Sequence, residues 1–377
     1  MKIAVLTESA GAERRVATTP DAAKRFVSLG AEICIQAGAG VASRFLDDAY
    51  VEAGAKIIDS AAEVAKGADI VLTVGRPSPS ALDGVGKGAL IIGVMDPHGH
   101  KDELAALAKK GVTVFAMELM PRITRAQVMD VLSSQANLAG YQAVIDAAEI
   151  YDRALPMMMT AAGTVAAAKA FVMGAGVAGL QAIATAKRLG AAVSATDVRP
   201  AAKEQVESLG AKFIAVEDEE FKAAETSGGY AKAMSEEYRA KQAELIAGHI
   251  AKQDIVITTA LIPGRAAPKL VSREMLKAMR SGSIVVDLAI ERGGNVEGAV
   301  AGEVAVVDGV TIIGHLNVTS RIPATASALF ARNLFAFAET LIDKESGEVA
   351  VDFEDELVKA TLLTRDGALV HPMFADG

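Results

Sequence analysis

The stretch FVMGAGVAGLQ, residues 171–181, decides the fold of this chain. An apolar run leads into a turn with three spaced glycines, and small apolar residues follow it. This pattern is typical of the strand, turn and helix that hold a dinucleotide pyrophosphate. Gly174 permits the tight turn, Gly176 lets the backbone approach a phosphate, and Gly179 lets the helix pack closely on the strand. The helix N-terminus would then direct its free N–H groups at the pyrophosphate.

Asp197 favours NAD as the nucleotide at this turn. It ends the next apolar run, AAVSATD (191–197), where a carboxylate can accept hydrogen bonds from both hydroxyls of a ribose. The same negative charge would repel the 2′-phosphate of NADP. Arg199, two residues further on, leaves the choice between the two cofactors open.

A second glycine turn, GAGVAS (38–43), also follows an apolar run. Ser43 stands at the place of the third glycine, and the next residues include Arg44 and Asp47 rather than small apolar residues. We expect a packing turn at a domain cleft, with a second nucleotide site as the alternative. The alternative for residues 174–179 is a Rossmann turn that has lost its ligand.

Apolar runs and helical patterns alternate along the chain, which predicts doubly wound parallel sheets. One series of runs begins at residue 2 and another at residue 169, and the helical pattern of 124–155 separates them. We therefore predict an α/β fold with two doubly wound Rossmann-like domains, mainly parallel sheets, and long helices joining them around a cleft. The predicted domains are 1–132 plus 325–377, which is discontinuous, and the inserted NAD-binding domain 133–324.

Composition and charge exclude several classes of function. The chain of 377 residues is 51% hydrophobic, has 34 glycines and carries a formal net charge of −9, which argues against binding nucleic acid. Cys34 is the only cysteine, and no metal-binding spacing occurs. The uncharged stretch 170–186 would suit a membrane span, but a buried strand and a packed helix explain it better. The N-terminus lacks the pattern of a signal peptide, so we expect a cytosolic protein.

A polar cluster lies in MELMPRITRAQVMDVLSSQ (117–135). Gln127, Asp130 and Ser133 are spaced by three residues, so one helix face would carry all three, and Arg122 precedes them. Together these groups could hold a nicotinamide carboxamide and its ribose. The alternative is an ordinary solvated face.

Two further segments have open interpretations. ETSGGYAKAMSEEYRAKQAE (225–244) places a flexible Gly228–Gly229 pair before Tyr230, which suggests a mobile lid or else a disordered surface loop. His98 and His100 in MDPHGHKD form the one candidate acid–base pair, and surface histidines are the alternative account.

Several motifs together resemble one family, that of alanine dehydrogenase and the NAD(H)-binding domain of proton-translocating nicotinamide nucleotide transhydrogenase. They cover nearly the whole chain, and they are ERRVATTP, GAGVASRFLDDAYVEAGA, MELMPRITRAQ, MMMTAAGT, GAGVAGLQAIATAKRLGA and TTALIPG. MPRITRAQVMDVLSSQ and the GGYAKAM loop resemble the transhydrogenase branch in particular.

This resemblance implies NAD(H) as the cofactor, with NADP(H) on a partner domain. It implies that the nicotinamide end is held by Arg122, Gln127, Asp130, Ser133 and Tyr230. The implied contacts to the rest of the cofactor are Gly174, Ala175, Gly176, Val177, Gly179, Asp197, Val198, Arg199, Gly229, Thr259 and Leu261.

The branch can also be argued from chemistry. Alanine dehydrogenases carry a substrate lysine where this chain has Gly75, a catalytic histidine at the place of Asp96 or nearby His98, and an aspartate at the place of Glu291. Of that set only Arg15 is retained. Hydride transfer between two nicotinamides needs placement and exclusion of water instead of proton transfer.

The transhydrogenase branch further implies a membrane-spanning proton-channel subunit as a partner, a homodimer, and a position at the cytoplasmic membrane face. The implied enzyme is the Re/Si-specific, proton-translocating NAD(P)+ transhydrogenase, active only with its partners. An alanine dehydrogenase-like enzyme and a non-catalytic NAD-binding module remain the alternatives.

Overall fold

The computed structural model describes residues 1–8, 11–222, 235–262 and 264–375. The chain divides into two compact units, Met1–Gln135 with Thr319–Gly377, and Ala136–Val318. The domain boundaries expected from the sequence stay a prediction about which segments fold independently.

The first unit is built on a mainly parallel sheet of α/β type, as predicted. Its strands, numbered along the whole chain, are β1 (Lys2–Val5), β2 (Glu32–Gln36), β3 (Lys56–Ile58), β4 (Ile70–Leu72), β5 (Leu90–Gly93), β6 (Thr113–Ala116), β16 (Leu362–Arg365) and β17 (Ala368–Leu369). Their order is β17-β16-β6-β5-β4-β1-β2-β3, with β16 antiparallel to β6. The C-terminal segment thus extends the first sheet, and the part running from β3 to β6 has the Rossmann strand order.

Helices cover the first sheet and bury apolar side chains against it. They are α1 (Pro20–Ser28), α2 (Asp47–Glu52), α3 (Ala61–Ala65), α4 (Lys101–Lys109), α11 (Pro323–Ala338) and α12 (Glu356–Thr361). Phe26 of α1 packs edge to face on Phe335 of α11, with ring centroids 4.7 Å apart, and Phe115 of β6 packs similarly on Phe337. These buried aromatic pairs tie α11, which is remote in sequence, to the sheet that the N-terminal strands form.

The second unit repeats the same plan. Its main strands are β9 (Lys169–Met173), β10 (Ala192–Thr196), β11 (Lys212–Phe213), β12 (Ile255–Thr258), β13 (Ile284–Asp287), β14 (Val304–Val307) and β15 (Val310–Ile313). The order is β11-β10-β9-β12-β13-β15-β14, parallel except for β14. The connections run outward in opposite directions from β9 and β12, so the topological switch point lies between these two strands.

The remaining elements of the second unit include a separate hairpin that the sequence did not predict. It consists of β7 (Met158–Thr160) and β8 (Gly163–Val165). The helices are α6 (Val177–Arg188), α7 (Ala202–Ser208), α8 (Glu219–Lys222), α9 (Glu236–Ile250) and α10 (Arg273–Ala278). Within the described ranges, no helix combines the length and the apolar character that crossing a bilayer demands.

The prediction of continuous helix over 124–155 is wrong at both ends. The α-helix α5 spans Val131–Ile150, and Thr124–Met129 is a 3₁₀ helix. The break lies at Asp130, whose side chain accepts the backbone N–H of Ser133 at 2.8 Å. A carboxylate in that position caps a helix N-terminus, so α5 begins at the next residue. Gln127 therefore does not share an α-helical face with Asp130 and Ser133.

Candidate functional site

The glycine turn of the second unit has the geometry that the fingerprint predicts. β9 ends at Met173 and α6 begins at Val177. Gly174 has φ +108°, a backbone conformation that favours glycine. A Cβ on Gly179 would lie 1.8 Å from the carbonyl oxygen of Gly174, whereas one on Gly176 would meet no heavy atom within 4 Å. Gly174 and Gly179 thus serve the turn and its packing, and the backbone at Gly176 faces open space.

Asp197 lies directly after β10 and reaches back to this turn. Its Oδ2 accepts the backbone N–H of Ala175 at 2.7 Å, and the Arg199 guanidinium donates to both carboxylate oxygens at 2.9 and 3.0 Å. Burial alone would raise the pKa of Asp197, but these hydrogen bonds and the charge of Arg199 hold it below its ordinary value. A charged carboxylate therefore stands beside the glycine turn, where it can accept ribose hydroxyls. Val198, next to it, is exposed.

The segment after β12 forms the other side of the turn. The Thr259 hydroxyl donates to the carbonyl oxygen of Gly174 at 3.1 Å, and the Thr259 N–H donates to the carbonyl of Met173 at 3.0 Å. Leu261 and Ile262, further along, expose apolar side chains. The carboxyl ends of β9 and β12 thus meet at the switch point, which is the usual binding place for a nucleotide in such sheets.

Gly140 is a residue of this site that the sequence analysis missed. It lies in α5, and a Cβ there would lie 2.0 Å from the carbonyl oxygen of Ala178 in the first turn of α6. The helix that begins at the glycine turn is therefore in close backbone contact with α5. A glycine inside a helical pattern costs stability and signals such packing, so the sequence did contain the clue.

The polar cluster of the first unit is brought together only in part. Asp130 and Ser133 contact each other through two hydrogen bonds, of which the hydroxyl-to-Oδ2 bond is 2.6 Å long. Arg122 and Gln127 are exposed on the segment that precedes them. Asn333 of α11 joins the two parts, because it donates to the carbonyl of Val128 at 2.8 Å and accepts the Ser134 hydroxyl at 2.7 Å. No sequence pattern near 122–133 indicates this distant asparagine.

Acidic side chains gather at the carboxyl edge of the first sheet. Glu8 accepts the N–H groups of Val74 and Gly75 at 2.7 and 3.2 Å, and burial raises its pKa to about 7. Glu13 binds Arg15 through two hydrogen bonds of 2.7 and 2.8 Å. Burial opposes its ionisation, but Arg15 and Ser320 lower the pKa of Glu13 to about 2. Arg15 is thus held by a carboxylate, and Gly75 supplies no amine.

Glu118 adds a third partly buried acid at this edge. Its Oε1 accepts the N–H groups of Met95 and Asp96, the former at 2.8 Å. Among the described residues, Oε2 of Glu118 has no hydrogen-bond partner and is shielded from solvent. Burial raises the pKa of Glu118 to about 7, although the N–H groups of Asp96 and Met95 favour the charged form. Asp96, rather than a histidine, occupies the loop that this carboxylate holds.

The two candidate histidines have structural contacts. His98 packs edge to face on Phe374, with ring centroids 5.0 Å apart. His100 lies 3.5 Å from Asp96 and 3.3 Å from Glu103 at the start of α4. These contacts favour the account in which both belong to a surface loop.

The second glycine turn, 38–43, is filled by packing. A Cβ on Gly40 would lie 2.5 Å from the carbonyl of Phe45 and 2.8 Å from the Tyr50 ring. The residues after it form a 3₁₀ turn, Val41–Ser43, instead of an α-helix. The Ser43 hydroxyl donates to the carbonyl of Arg14 at 2.7 Å. Because the turn does not open an α-helix, the structure favours the packing interpretation over a nucleotide site.

Some predicted residues cannot be placed. Gly229 and Tyr230, with the Gly–Gly pair of the proposed lid, lie outside the described residues. Over the described ranges, no group of three or more His, Cys, Asp or Glu side chains is arranged to hold a metal ion.

Comparisons with known proteins agree with this geometry. Residues 4–139 match the family model of the alanine dehydrogenase/PNT N-terminal domain, and residues 143–372 match that of the C-terminal domain. The chain is 53% identical to an NAD(P) transhydrogenase alpha subunit (the first of its portions) from Rhodospirillum rubrum over 378 residues, covering 99% of this chain and 98% of that protein.

Solved structures have the same fold. The crystal structure of transhydrogenase from Sinorhizobium meliloti superposes with a TM-score of 0.90 at 61% identity, covering 98% of this chain and 100% of that one. An L-alanine dehydrogenase superposes with a TM-score of 0.82 at 24% identity, covering 99% and 98%. The second likeness concerns the fold alone.

The two Rossmann-type sheets and the glycine turn define an α/β protein of the dinucleotide-binding class. Within this class, the chain belongs to the alanine dehydrogenase/PNT family.

Proposed function

We propose that this protein is the NAD(H)-binding subunit of a proton-translocating NAD(P) transhydrogenase. It would hold NADH for direct hydride transfer to NADP+ on a partner domain, in the Re/Si-specific manner. The observation that carries this proposal is the Asp197 carboxylate, hydrogen-bonded to Ala175 inside the glycine turn at the switch point. High identity to the transhydrogenase alpha subunit of Rhodospirillum rubrum supports the same role.

The chain's own residues fit this cofactor. The open space at Gly176 leaves room for a pyrophosphate near the start of α6, where the helix N–H groups favour negative charge. Asp197 would accept the hydroxyls of the adenosine ribose, with Ala175, Val177, Val198, Arg199, Thr259 and Leu261 as further contacts. NADH supplies the hydride when it is bound.

Residues of the first unit would orient the nicotinamide end. The proposed set is Arg122, Gln127, Asp130 and Ser133, with Tyr230 and Gly229 on a segment that closes over it. Two of these residues, Asp130 and Ser133, are already fixed by their mutual hydrogen bonds. A hydride passes from carbon to carbon, so these residues need to place a ring and exclude water rather than to transfer a proton.

Alanine dehydrogenase-like amination has weaker support. The carboxyl edge of the first sheet carries Glu8 and Glu118, and Asp96 lies beside Glu118. Gly75 has no amine to offer a keto acid, and the nearby acids would repel its carboxylate. The non-catalytic NAD-binding module remains possible only if transfer to a partner fails.

The proposed partners are a membrane-spanning proton-channel subunit and an NADP(H)-binding domain, which would place this protein at the cytoplasmic membrane face. We also propose a homodimer. Its support is the exposed apolar hairpin β7–β8, in which Met157 is 63% and Met159 is 73% exposed. Contiguous exposed apolar side chains of this kind mark interaction surfaces. Light scattering of Met159→Asp against the wild type tests it, because a dimer joined here should dissociate.

One experiment separates the three functions. The pure protein is first titrated with NADH, and its activity is then measured with NADH, pyruvate and ammonia. The NADP-binding partner is added in a second assay. Our proposal expects NADH binding, no amination, and hydride transfer only with the partner. Amination by the protein alone would support the alanine dehydrogenase alternative, and binding without any transfer would support the binding module.

A further inference from the structure

Asn295 makes an unusually complete set of contacts beside the glycine turn. It is fully buried, and its side-chain amide pairs with the peptide groups of Ala260. Oδ1 accepts the Ala260 N–H at 3.0 Å, and Nδ2 donates to the Ala260 carbonyl at 2.9 Å. Nδ2 also donates to the carbonyl of Pro268 at 2.8 Å. Both donors of the amide are therefore satisfied, as is its acceptor.

Asn295 is itself held firmly. Asp287, at the end of β13, accepts the N–H of Val296 at 3.0 Å and that of Ala289 at 2.9 Å. Gly294 has φ +74°, and a Cβ there would lie 2.6 Å from Oδ2 of Asp287. The turn that carries Asn295 is thus closed around a buried carboxylate, which fixes the direction of the amide.

Ala260 in turn connects Asn295 to the glycine turn. Its neighbour Thr259 bonds to the carbonyl of Gly174, and Leu261 on its other side is 53% exposed at the switch-point edge. Ala260 itself has no side chain that could anchor this segment. Its backbone N–H and carbonyl groups instead contact the Asn295 amide, as they would contact a neighbouring strand.

We propose that Asn295 is a positioning residue for the nicotinamide cofactor. It acts through the backbone of Ala260, holding Thr259 against the turn and Leu261 at the edge of the site, and does not touch the cofactor itself. This inference rests on the proposed binding of NADH at the glycine turn. It explains why an asparagine, which can mimic a peptide group, stands at this buried position.

NADH titration followed by fluorescence tests the proposal with two variants. Asn295→Ala removes the whole amide, and Asn295→Asp keeps the acceptor while losing both donors. We expect the dissociation constant for NADH, measured on protein shown to be folded by circular dichroism, to rise about tenfold, which corresponds to about 1.4 kcal/mol. The matched control is Gln253→Ala. Gln253 is a buried amide just before β12, at its opposite end, and it donates to the carbonyl of His249 at 3.0 Å.

The outcomes are distinguishable. A wild-type protein that does not bind NADH contradicts the proposed function. A wild type that binds NADH, with Asn295 variants that bind equally well, overturns the positioning role alone. An equal loss of affinity in Gln253→Ala also overturns it, because general destabilisation would then explain the effect. Should neither Asn295 variant fold, hydrogen exchange of the wild-type Ala260 amide decides. Protection as slow as in β12 supports the proposal, and fast exchange overturns it.

Discussion

The Asp130 carboxylate accepts both the backbone N–H and the hydroxyl of Ser133, at 2.8 and 2.6 Å. This pair ends the 3₁₀ segment that carries Gln127 and starts α5. It gives the proposed nicotinamide site two parts, a capped helix start and an exposed segment before it. Each part can be changed separately.

Asp130→Ala should affect both stability and reaction. Losing the cap costs about 1 kcal/mol of unfolding free energy. Hydride transfer should slow as well, because the start of α5 loosens. Ser133→Ala is the matched variant, since it retains the backbone N–H bond and should lose less stability. Thermal unfolding and single-turnover kinetics measure the two effects, and equal stability of Asp130→Ala and the wild type would contradict the capping role.

Gln127→Asn should change rate more than affinity. The substitution shortens the side chain by one methylene and keeps the amide on an exposed segment. A misplacement of about 1 Å can cost roughly a hundredfold in rate. Because pyrophosphate and ribose contacts lie on other residues, the NADH dissociation constant should stay within a few-fold of wild type. A normal transfer rate would remove Gln127 from the site, and an equal loss of affinity would make it a binding residue.

Asp197→Asn should weaken NADH binding by about 1–3 kcal/mol, because charge-assisted hydrogen bonds to the ribose are lost. It should also narrow the preference for NADH over NADPH, since Arg199 then no longer faces a carboxylate and can attract the 2′-phosphate. Fluorescence titration with both nucleotides measures the ratio. Equally tight NADPH and NADH binding by the wild type would refute the assignment of Asp197.

Glu118→Gln should raise stability at pH 8 and leave it nearly unchanged at pH 5. Burial raises the pKa of Glu118 to about 7 from its ordinary value of 4.5, so the folded protein holds a proton that the unfolded chain releases. Its contribution is full below about pH 4.5 and is lost as the pH rises toward 7. Glutamine keeps a carbonyl for Met95 and Asp96 and carries no charge.

The expected gain at pH 8 is about 1–3 kcal/mol of unfolding free energy. Thermal unfolding at the two pH values measures it, with the exposed Glu52→Gln as the control. The same melting-temperature change for Glu118→Gln at both pH values would contradict a buried, titrating carboxyl.

The parts of the fold that sequence predicted are those that local residues determine. Both β/α series, the strand before Gly174 and the helix after Gly179 are confirmed, because apolar periodicity and glycine conformation act over a few residues. The break at Asp130 was missed because apolar periodicity continues across it. A capping carboxylate three residues before a serine was a signal that outweighed this periodicity.

Other features depend on distant residues and could not be predicted. Asn333 is separated by about two hundred positions from the segment it holds, and Asn295 contacts Ala260 across a turn whose course only the fold reveals. The antiparallel strand β14 and the hairpin β7–β8 are short, and alternating residues in them are not distinctive. Hydrogen-bond partners of this kind follow from tertiary structure, so a single sequence gives no register for them.

The central claim is that this protein presents NADH for direct transfer to NADP+ on another domain. Rapid mixing of the NADH-loaded protein with the NADP+-loaded binding domain, using NADH deuterated at the transferred position, tests it most directly. We predict a single-turnover burst in which deuterium appears in NADPH and none is lost to water. Deuterium in the solvent, or no burst with both cofactors bound, would contradict the account.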